Sequence, residues 1–221
     1  MGTSNSSNSR RRFLIAAPTA LVAVATASTA KAADVCLVTD RDILGPFYLP
    51  GARNMVKMAQ PDTKGERLAL TGTVLAPDCK TPIAGAIVDF WHCDENGAYD
   101  IKAPGEKLAP ENYRYRSVVQ TDKDGRFMFD TIVPGRYAIP PGLPGLEKEA
   151  GQTRPAHFHI TIIHPIFVPL TTQLYMRGDP FIAKDPWAKE SRNVFDLKKR
   201  ANGSTGEVEI VLASRPGQRR S

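Results

Sequence analysis

After its N-terminal segment, turn residues interrupt this chain so often that long helices are excluded. The runs left between them have the length and alternation of β-strands. The 221 residues include 18 prolines and 17 glycines, a composition of many turns. Residues 68–75 read as a strand ended by Pro77-Asp78, and 85–91 as one ended by the turn Asp94-Glu95-Asn96-Gly97. Residues 115–121 and 126–132 flank Asp122-Lys123-Asp124-Gly125, a strong hairpin signal. Further strands are expected over 156–163, 168–175 and 208–212, with a short helix or two near 186–189. Short strands at near-regular spacing specify an all-β sandwich. The sandwich domain is placed at 67–214, preceded by an irregular arm at 33–66 and followed by a basic tail at 215–221.

The stretch Arg154-Pro155-Ala156-His157-Phe158-His159 concentrates the chemistry. Alternate residues of a strand share a face, so both imidazoles reach one point, as two ligands of a single metal ion must. Imidazole suits zinc, copper, iron and nickel alike, so the pair by itself leaves the metal open, and two hydrogen-bonded structural histidines are the alternative. Tyrosines stand at turn positions on the preceding segments: Tyr99 after Asp94-Glu95-Asn96-Gly97-Ala98, and Tyr137 after Val133-Pro134-Gly135-Arg136.

Charge narrows the partners. The formal charge of +6 owes four cations to Arg10, Arg11, Arg12 and Lys31; from Ala33 onward 25 basic residues face 23 acidic ones. Such a balance gives no reason to invoke nucleic acid. Residues 1–32 read as an export signal. Arg10-Arg11-Arg12-Phe13-Leu14 resembles a twin-arginine motif, an Ala-rich run follows, and Ala30-Lys31-Ala32 offers a cleavage site. The run is too short for a membrane span. A periplasmic or secreted protein, with no membrane insertion once the signal is removed, is the expectation. Cys36, Cys79 and Cys93 allow one disulfide and one thiol. Cys79 and Cys93 lie on either side of the strand at 85–91, too far apart to bond; Cys36, on the arm, could reach either, and a bridge, if present, is expected as Cys36–Cys93 rather than Cys79–Cys93.

Taken together, these motifs resemble the intradiol ring-cleavage dioxygenases. The resemblance runs in order through Gly45-Pro46-Phe47-Tyr48, Trp91 with Gly97-Ala98-Tyr99, and Thr121-Asp122 with Gly125. It continues through Pro134-Gly135-Arg136-Tyr137, residues 154–159, and Thr172-Gln173-Leu174-Tyr175-Met176-Arg177-Gly178-Asp179-Pro180. The last two stretches are most similar to the protocatechuate 3,4-dioxygenase branch.

What the resemblance implies is a β-sandwich enzyme with a non-haem Fe(III) that opens a catechol between its hydroxylated carbons. Both atoms of O2 enter the product, a cis,cis-muconate-type diacid. By motif, Tyr99 and His157 correspond to equatorial iron ligands and Tyr137 and His159 to the axial pair. Arg154 corresponds to an active-site arginine that stabilises negative charge on the bound catecholate, and Gln173 to a hydrogen-bonding residue of the same pocket. Tyr137 carries a second, catalytic role as proton acceptor. The expected partners are a small catechol and O2, with room for a homo-oligomer. Three features depart from the family pattern: a long Pro/Gly-rich loop between Tyr137 and His157, Arg116-Ser117 in place of Arg-Gly, and two further tyrosines, Tyr113 and Tyr115, close to Tyr99. A transthyretin-like binding module without chemistry, or a zinc hydrolase built on the His-x-His pair, are the rival readings.

Overall fold

The computed structural model describes residues 1–2 and 36–217, so the export-signal motif and residues 218–221 of the basic tail lie outside the described residues. Strands are numbered in chain order. In the first sheet, β1 (Arg67–Leu75), β4 (Arg126–Ile132), β10 (Leu197–Arg200) and β11 (Gly203–Val211) run in the order β10-β11-β1-β4. In the second, β2 (Ile87–Trp91), β3 (Arg116–Gln120), β7 (His157–Ile163), β8 (Leu170–Met176) and β9 (Val194–Phe195) run in the order β3-β2-β7-β8-β9. A two-stranded ribbon pairs β5 (Tyr137–Ala138) with β6 (Thr153–Arg154).

The sandwich follows from alternation. Leu68, Leu70 and Val74 of β1 point inward, and Phe129 and Ile210 join them from β4 and β11. From the second sheet, Val88, Phe90, Phe158, Ile160 and Ile162 close the same core. Stacked rings fill the core, with Phe90 and Phe129 joining the two layers at 4.3 Å and Phe90 and Phe158 stacking within the second sheet at 5.3 Å. The two inner faces interdigitate, as in other sandwiches. β7 is buried on both faces. Its even-numbered residues face the core. His157 and His159 face the opposite way, under a second cluster built by Phe47, Leu49, Trp91, Tyr99 and Tyr113. The functional face is therefore the outer face of the second sheet, and the arm covers it.

The strands expected from sequence are present within a residue or two, except that β11 begins at Gly203, earlier than expected. Three elements escaped the pattern: the ribbon β5–β6, the two-residue β9, and β10. The run Lys198-Lys199-Arg200 is solvated, as its charge demands, but it is also the edge strand β10, where lysines keep an edge from pairing with another chain. The short helix expected near 186–189 is resolved as two three-residue 3-10 turns, Ile182–Lys184 and Ala188–Glu190.

The expected Cys36–Cys93 disulfide is overturned: Cys36 bonds to Cys79, with Cα atoms 5.7 Å apart. Cys93 is a buried free thiol at the end of β2, directed at the Gly135 carbonyl 3.4 Å away, and burial pushes its pKa up to about 12. The strand between Cys79 and Cys93 does separate them, but the start of the arm lies at the Cys79 end. Cross-linking across 43 residues removes roughly 4 kcal/mol of unfolded-chain entropy in the loop-closure model. Cys36→Ser is accordingly expected to lower stability by about 2–4 kcal/mol. Non-reducing peptide mapping should return a Cys36–Cys79 peptide, and denaturant midpoints in the presence and absence of reductant should separate.

His92 is a structural histidine. Its Nδ1 donates to the Cys93 carbonyl (2.6 Å) and its Nε2 accepts from Thr131 (2.7 Å). Burial lowers its pKa to about 3 from 6.5. Between those values the unfolded chain binds a proton that the folded chain refuses. The stabilisation is therefore complete above about pH 6.5 and is lost as pH falls toward 3. His92→Gln should flatten the acid limb of a stability–pH curve by up to about 1.4 kcal/mol per pH unit below pH 6.5, measured by urea denaturation between pH 6 and 4.

Candidate active site

Strand register assembles the site. Arg116, Trp91, His159 and Gln173 are mutual partners across β3, β2, β7 and β8, so their side chains form one row on the outer face. His157 and Tyr175 form the next pair. The ribbon adds a third, because Tyr137 of β5 lies opposite Arg154 of β6. Tyr99 arrives from the turn after β2. Asp94 accepts the amides of Asn96 and Ala98, and Gly135 donates its amide to the Asp94 carbonyl at 2.8 Å. The two turns press backbone to backbone. A Cβ on Gly97 would lie 2.3 Å from the Arg136 carbonyl oxygen, and one on Gly135 would lie 2.5 Å from that of Glu95. Only glycines permit this approach, and it sets the Tyr99 and Tyr137 rings edge to face at 5.5 Å.

Four polar heads converge. The Nε2 atoms of His157 and His159 are 3.2 Å apart, the Tyr99 hydroxyl is 3.1 Å from His159 Nε2, and the Tyr137 hydroxyl is 3.5 Å from His157 Nε2. The structure thus brings together Tyr99, Tyr137, His157 and His159. Tyr113 and Tyr115 lie elsewhere. Tyr113 donates its hydroxyl to the Pro50 carbonyl at 2.9 Å, and Tyr115 stacks on His92 at 4.9 Å.

The donor set fits a cation. His157 Nδ1 lies 2.7 Å from the Pro155 carbonyl, which only accepts, so the proton sits on Nδ1 and Nε2 presents a bare lone pair. If His159 carries its proton on Nδ1, two bare nitrogens face each other. If the proton is on Nε2, Nδ1 becomes an acceptor with nothing to accept from. A metal ion between the heads would accept both Nε2 lone pairs and remove their opposition, leaving His159 Nδ1 as the one ring nitrogen of the pair without a partner among the described residues. Separations of 3.1–3.5 Å are also the edges expected when donors surround an ion at about 2.1 Å. Burial pushes His157 down to about 3 and His159 well below its usual value, so both stay unprotonated and free to ligate. Burial raises both Tyr99 and Tyr137, and only a highly charged cation at their oxygens makes them phenolates. Among the described residues no three of His, Cys, Asp and Glu gather as a metal site, and the further oxygen atoms beside the two histidines are the hydroxyls of Tyr99 and Tyr137. That pattern is foreign to structural or hydrolytic zinc sites.

Arg154 stands beside the heads, 2% exposed, with Nη1 3.4 Å from His157 Nε2. Nε and Nη2 grip Asp185 at 2.8 and 3.0 Å, Nη1 donates to Gln173 Oε1 at 3.0 Å, and Nη2 donates to the Tyr175 hydroxyl at 3.2 Å. Trp187 covers the guanidinium at 4.3 Å. Burial alone disfavours the charge, but the bonds to Asp185 hold the arginine pKa above its ordinary value. Gln173 is fully buried, and its Nε2 donates to the Ile43 carbonyl at 3.0 Å, so it links the arginine to the arm. Sequence reasoning did not single out Asp185, Trp187 or Asp42. Asp185 Oδ1 also accepts the amides of Trp187 and Ala188 at 3.0 and 2.8 Å, a turn-capping role that Asp185-Pro186 hints at. Asp42 accepts the Tyr175 hydroxyl at 2.8 Å, a contact across 133 residues that no local pattern signals.

A family model described as Dioxygenase matches residues 43–213, which include Tyr99, Tyr137, Arg154, His157, His159, Gln173 and Asp185. The chain belongs to the intradiol dioxygenase family. It is 35% identical over 153 residues to the 6-chlorohydroxyquinol 1,2-dioxygenase of Cupriavidus pinatubonensis, covering 66% of this chain and 54% of that protein. It is 27% identical over 181 residues to an intradiol ring-cleavage dioxygenase of Aspergillus niger, covering 78% of this chain and 56% of that one. Among solved structures it resembles the dioxygenase domain of a dioxygenase–carbohydrate-binding fusion from Streptomyces sp. SirexAA-E. There the TM-score is 0.64 at 28% identity, over 80% of this chain and 99% of that domain. The chain spans about half the length of the curated relatives it matches. Intradiol dioxygenase membership agrees with the all-β sandwich.

Proposed function

We propose that this chain is a non-haem Fe(III) intradiol dioxygenase that cleaves a catechol-type aromatic, protocatechuate or a related catechol, with O2 to a cis,cis-muconate-type diacid. One observation carries the reading: the convergence of Tyr99, His159, His157 and Tyr137, whose donor atoms follow one another at 3.1, 3.2 and 3.5 Å beside the buried cation Arg154. Phenolates are hard anions that favour ferric over ferrous iron, and imidazoles accept either. When bound, ferric iron supplies the charge that ionises phenols at neutral pH and makes a bound catecholate electron-rich toward O2.

The protein's own groups do the rest. Of the four donors Tyr137 alone is a half-buried residue, and as a phenolate it would take the proton of an incoming catechol hydroxyl. Arg154 cannot move and cannot deprotonate. Its fixed positive charge is therefore already oriented when negative charge builds on the ring. Phe47, stacked on Tyr99 at 4.6 Å and edge-on to Tyr137 at 6.1 Å, excludes water behind the phenols.

Purified protein loaded with ferric iron, assayed by oxygen electrode and ultraviolet spectra against catechol, chlorocatechol, hydroxyquinol and protocatechuate, tests the proposal. One O2 consumed per diacid formed is the expected result. A colourless protein that binds no iron and consumes no O2 would return the chain to a binding module. We further infer export through the twin-arginine-type segment, on the strength of Arg10-Arg11 and the Ala-rich run after it. The Cys36–Cys79 bridge suits an oxidising compartment. Intact mass of protein recovered from the periplasm or medium should correspond to a chain beginning at Ala33, and a chain still beginning at Met1 would overturn the inference.

A further inference from the structure

The two histidines are held in different ways. His157 is oriented as metal-binding histidines commonly are, by donating its second ring nitrogen to a carbonyl. Among the described residues His159 has no such partner, and its Nδ1 is buried without a hydrogen bond. Its ring is nonetheless enclosed. Trp91 lies parallel against its face at 4.9 Å and 7°. The backbone of Gly45, from the arm, presses on its Cε1 apex. A Cβ on Gly45 would lie 2.8 Å from Cε1 and 3.4 Å from the donor atom Nε2. Carbon atoms do not approach so closely, so any side chain at this position must push the imidazole away, and the stacked indole limits where it can go.

We propose that His159 is oriented for metal binding by packing, in a slot formed by Trp91 and the arm residue Gly45, rather than by a second-nitrogen hydrogen bond. Gly45 and Trp91 are then positioning residues. The arm becomes part of the metal site, since the two-residue step from Gly45 to Phe47 also lays a ring on Tyr99 and against Tyr137. The inference rests on the iron-site reading above, and its test begins from wild-type protein that has been shown to bind iron.

Gly45 adopts φ +78°, which strains most side chains but which asparagine tolerates. Gly45→Asn therefore adds the Cβ with little backbone cost. Gly51→Asn is the matched control. It lies on the same arm at φ +85°, and its Cβ would meet nothing closer than 3.8 Å. Iron retention in competition with a chelator, the phenolate-to-iron absorption band and thermal unfolding of the apoprotein are read for each. The expected result is a loss of iron affinity of about 10–100-fold for Gly45→Asn, the usual cost of disturbing a ligand's outer support. The band should shift, and Gly51→Asn should retain wild-type iron and colour. Trp91→Phe, which keeps a ring but shortens the stack, should speed iron release several-fold while the protein stays folded, and this arm stands even if Gly45→Asn does not accumulate. Wild-type iron affinity and colour in Gly45→Asn, or unchanged iron release in Trp91→Phe, would overturn the proposal. Absence of iron from the wild-type protein would instead overturn the iron site itself.

Discussion

Arg154→Ala is expected to lower kcat by about 10²–10³-fold, the usual effect of removing one preoriented donor from a site where charge develops. The same substitution should also destabilise the protein by about 3–5 kcal/mol, because it leaves a charge buried without its partner. Asp185 is 2% exposed and receives two of the guanidinium's nitrogens. Burial alone would raise the pKa of its carboxyl, but Arg154 holds it below the ordinary value. Iron should remain, since Arg154 is not among the four donors. Arg154→Lys separates the two effects. A single ammonium can pair with Asp185 and recover part of the stability. It cannot also reach Gln173 and Tyr175 or stack flat under Trp187, so turnover should recover little. Steady-state kinetics and urea denaturation of both variants are the measurements. A kcat near wild type in Arg154→Ala, with stability lost, would confine this arginine to a structural role.

Tyr137→Phe should leave the fold nearly intact and still remove most of the activity. The ring keeps its packing against Phe47 and Tyr99, and the hydroxyl loses its long contact to His157 and its interactions with Arg154 and Tyr99, so the stability change should stay within about 1–2 kcal/mol. Catalysis loses the group placed to accept the catechol proton, which is worth about 10²–10⁴-fold. With one phenolate fewer, the phenolate-to-iron band should change, while Tyr99, His157 and His159 retain the metal. His157→Ala and His159→Ala should behave differently and lose iron itself, because each strips an imidazole from the row that no neighbour on the sheet replaces. Absorption spectra, iron content and kcat separate the cases. Wild-type colour and turnover in Tyr137→Phe, together with their loss in Tyr113→Phe, would show that the donors are misassigned even though the family is right.

Period-two alternation and turn residues by themselves specified the sandwich, because burial on a pleated surface requires that pattern and little else satisfies it. The sequence also put His157 and His159 on one face, since i and i+2 of a strand share a face whatever the rest of the chain does. The ordered motifs from Gly45 to Pro180 pointed to the family and, through it, to Tyr99, Tyr137, Arg154 and Gln173. Local pattern carries no information about which distant strand lies alongside which, and there the tertiary structure decided. Only register shows that Arg116, Trp91, His159 and Gln173 form one row, or that a two-residue ribbon, too short to register as a strand, sets Tyr137 opposite Arg154. Only the path of the arm decides that Cys36 reaches Cys79 rather than Cys93. Between Tyr99 and its rivals Tyr113 and Tyr115 the sequence held three phenols within a short span. The backbone contact of Gly97 with Arg136 selects one of them, because that approach directs a single hydroxyl at the histidines. Asp185 and Asp42 were invisible for the same reason: what they hold is the charge and the hydroxyl of residues that become neighbours only when the sheet closes.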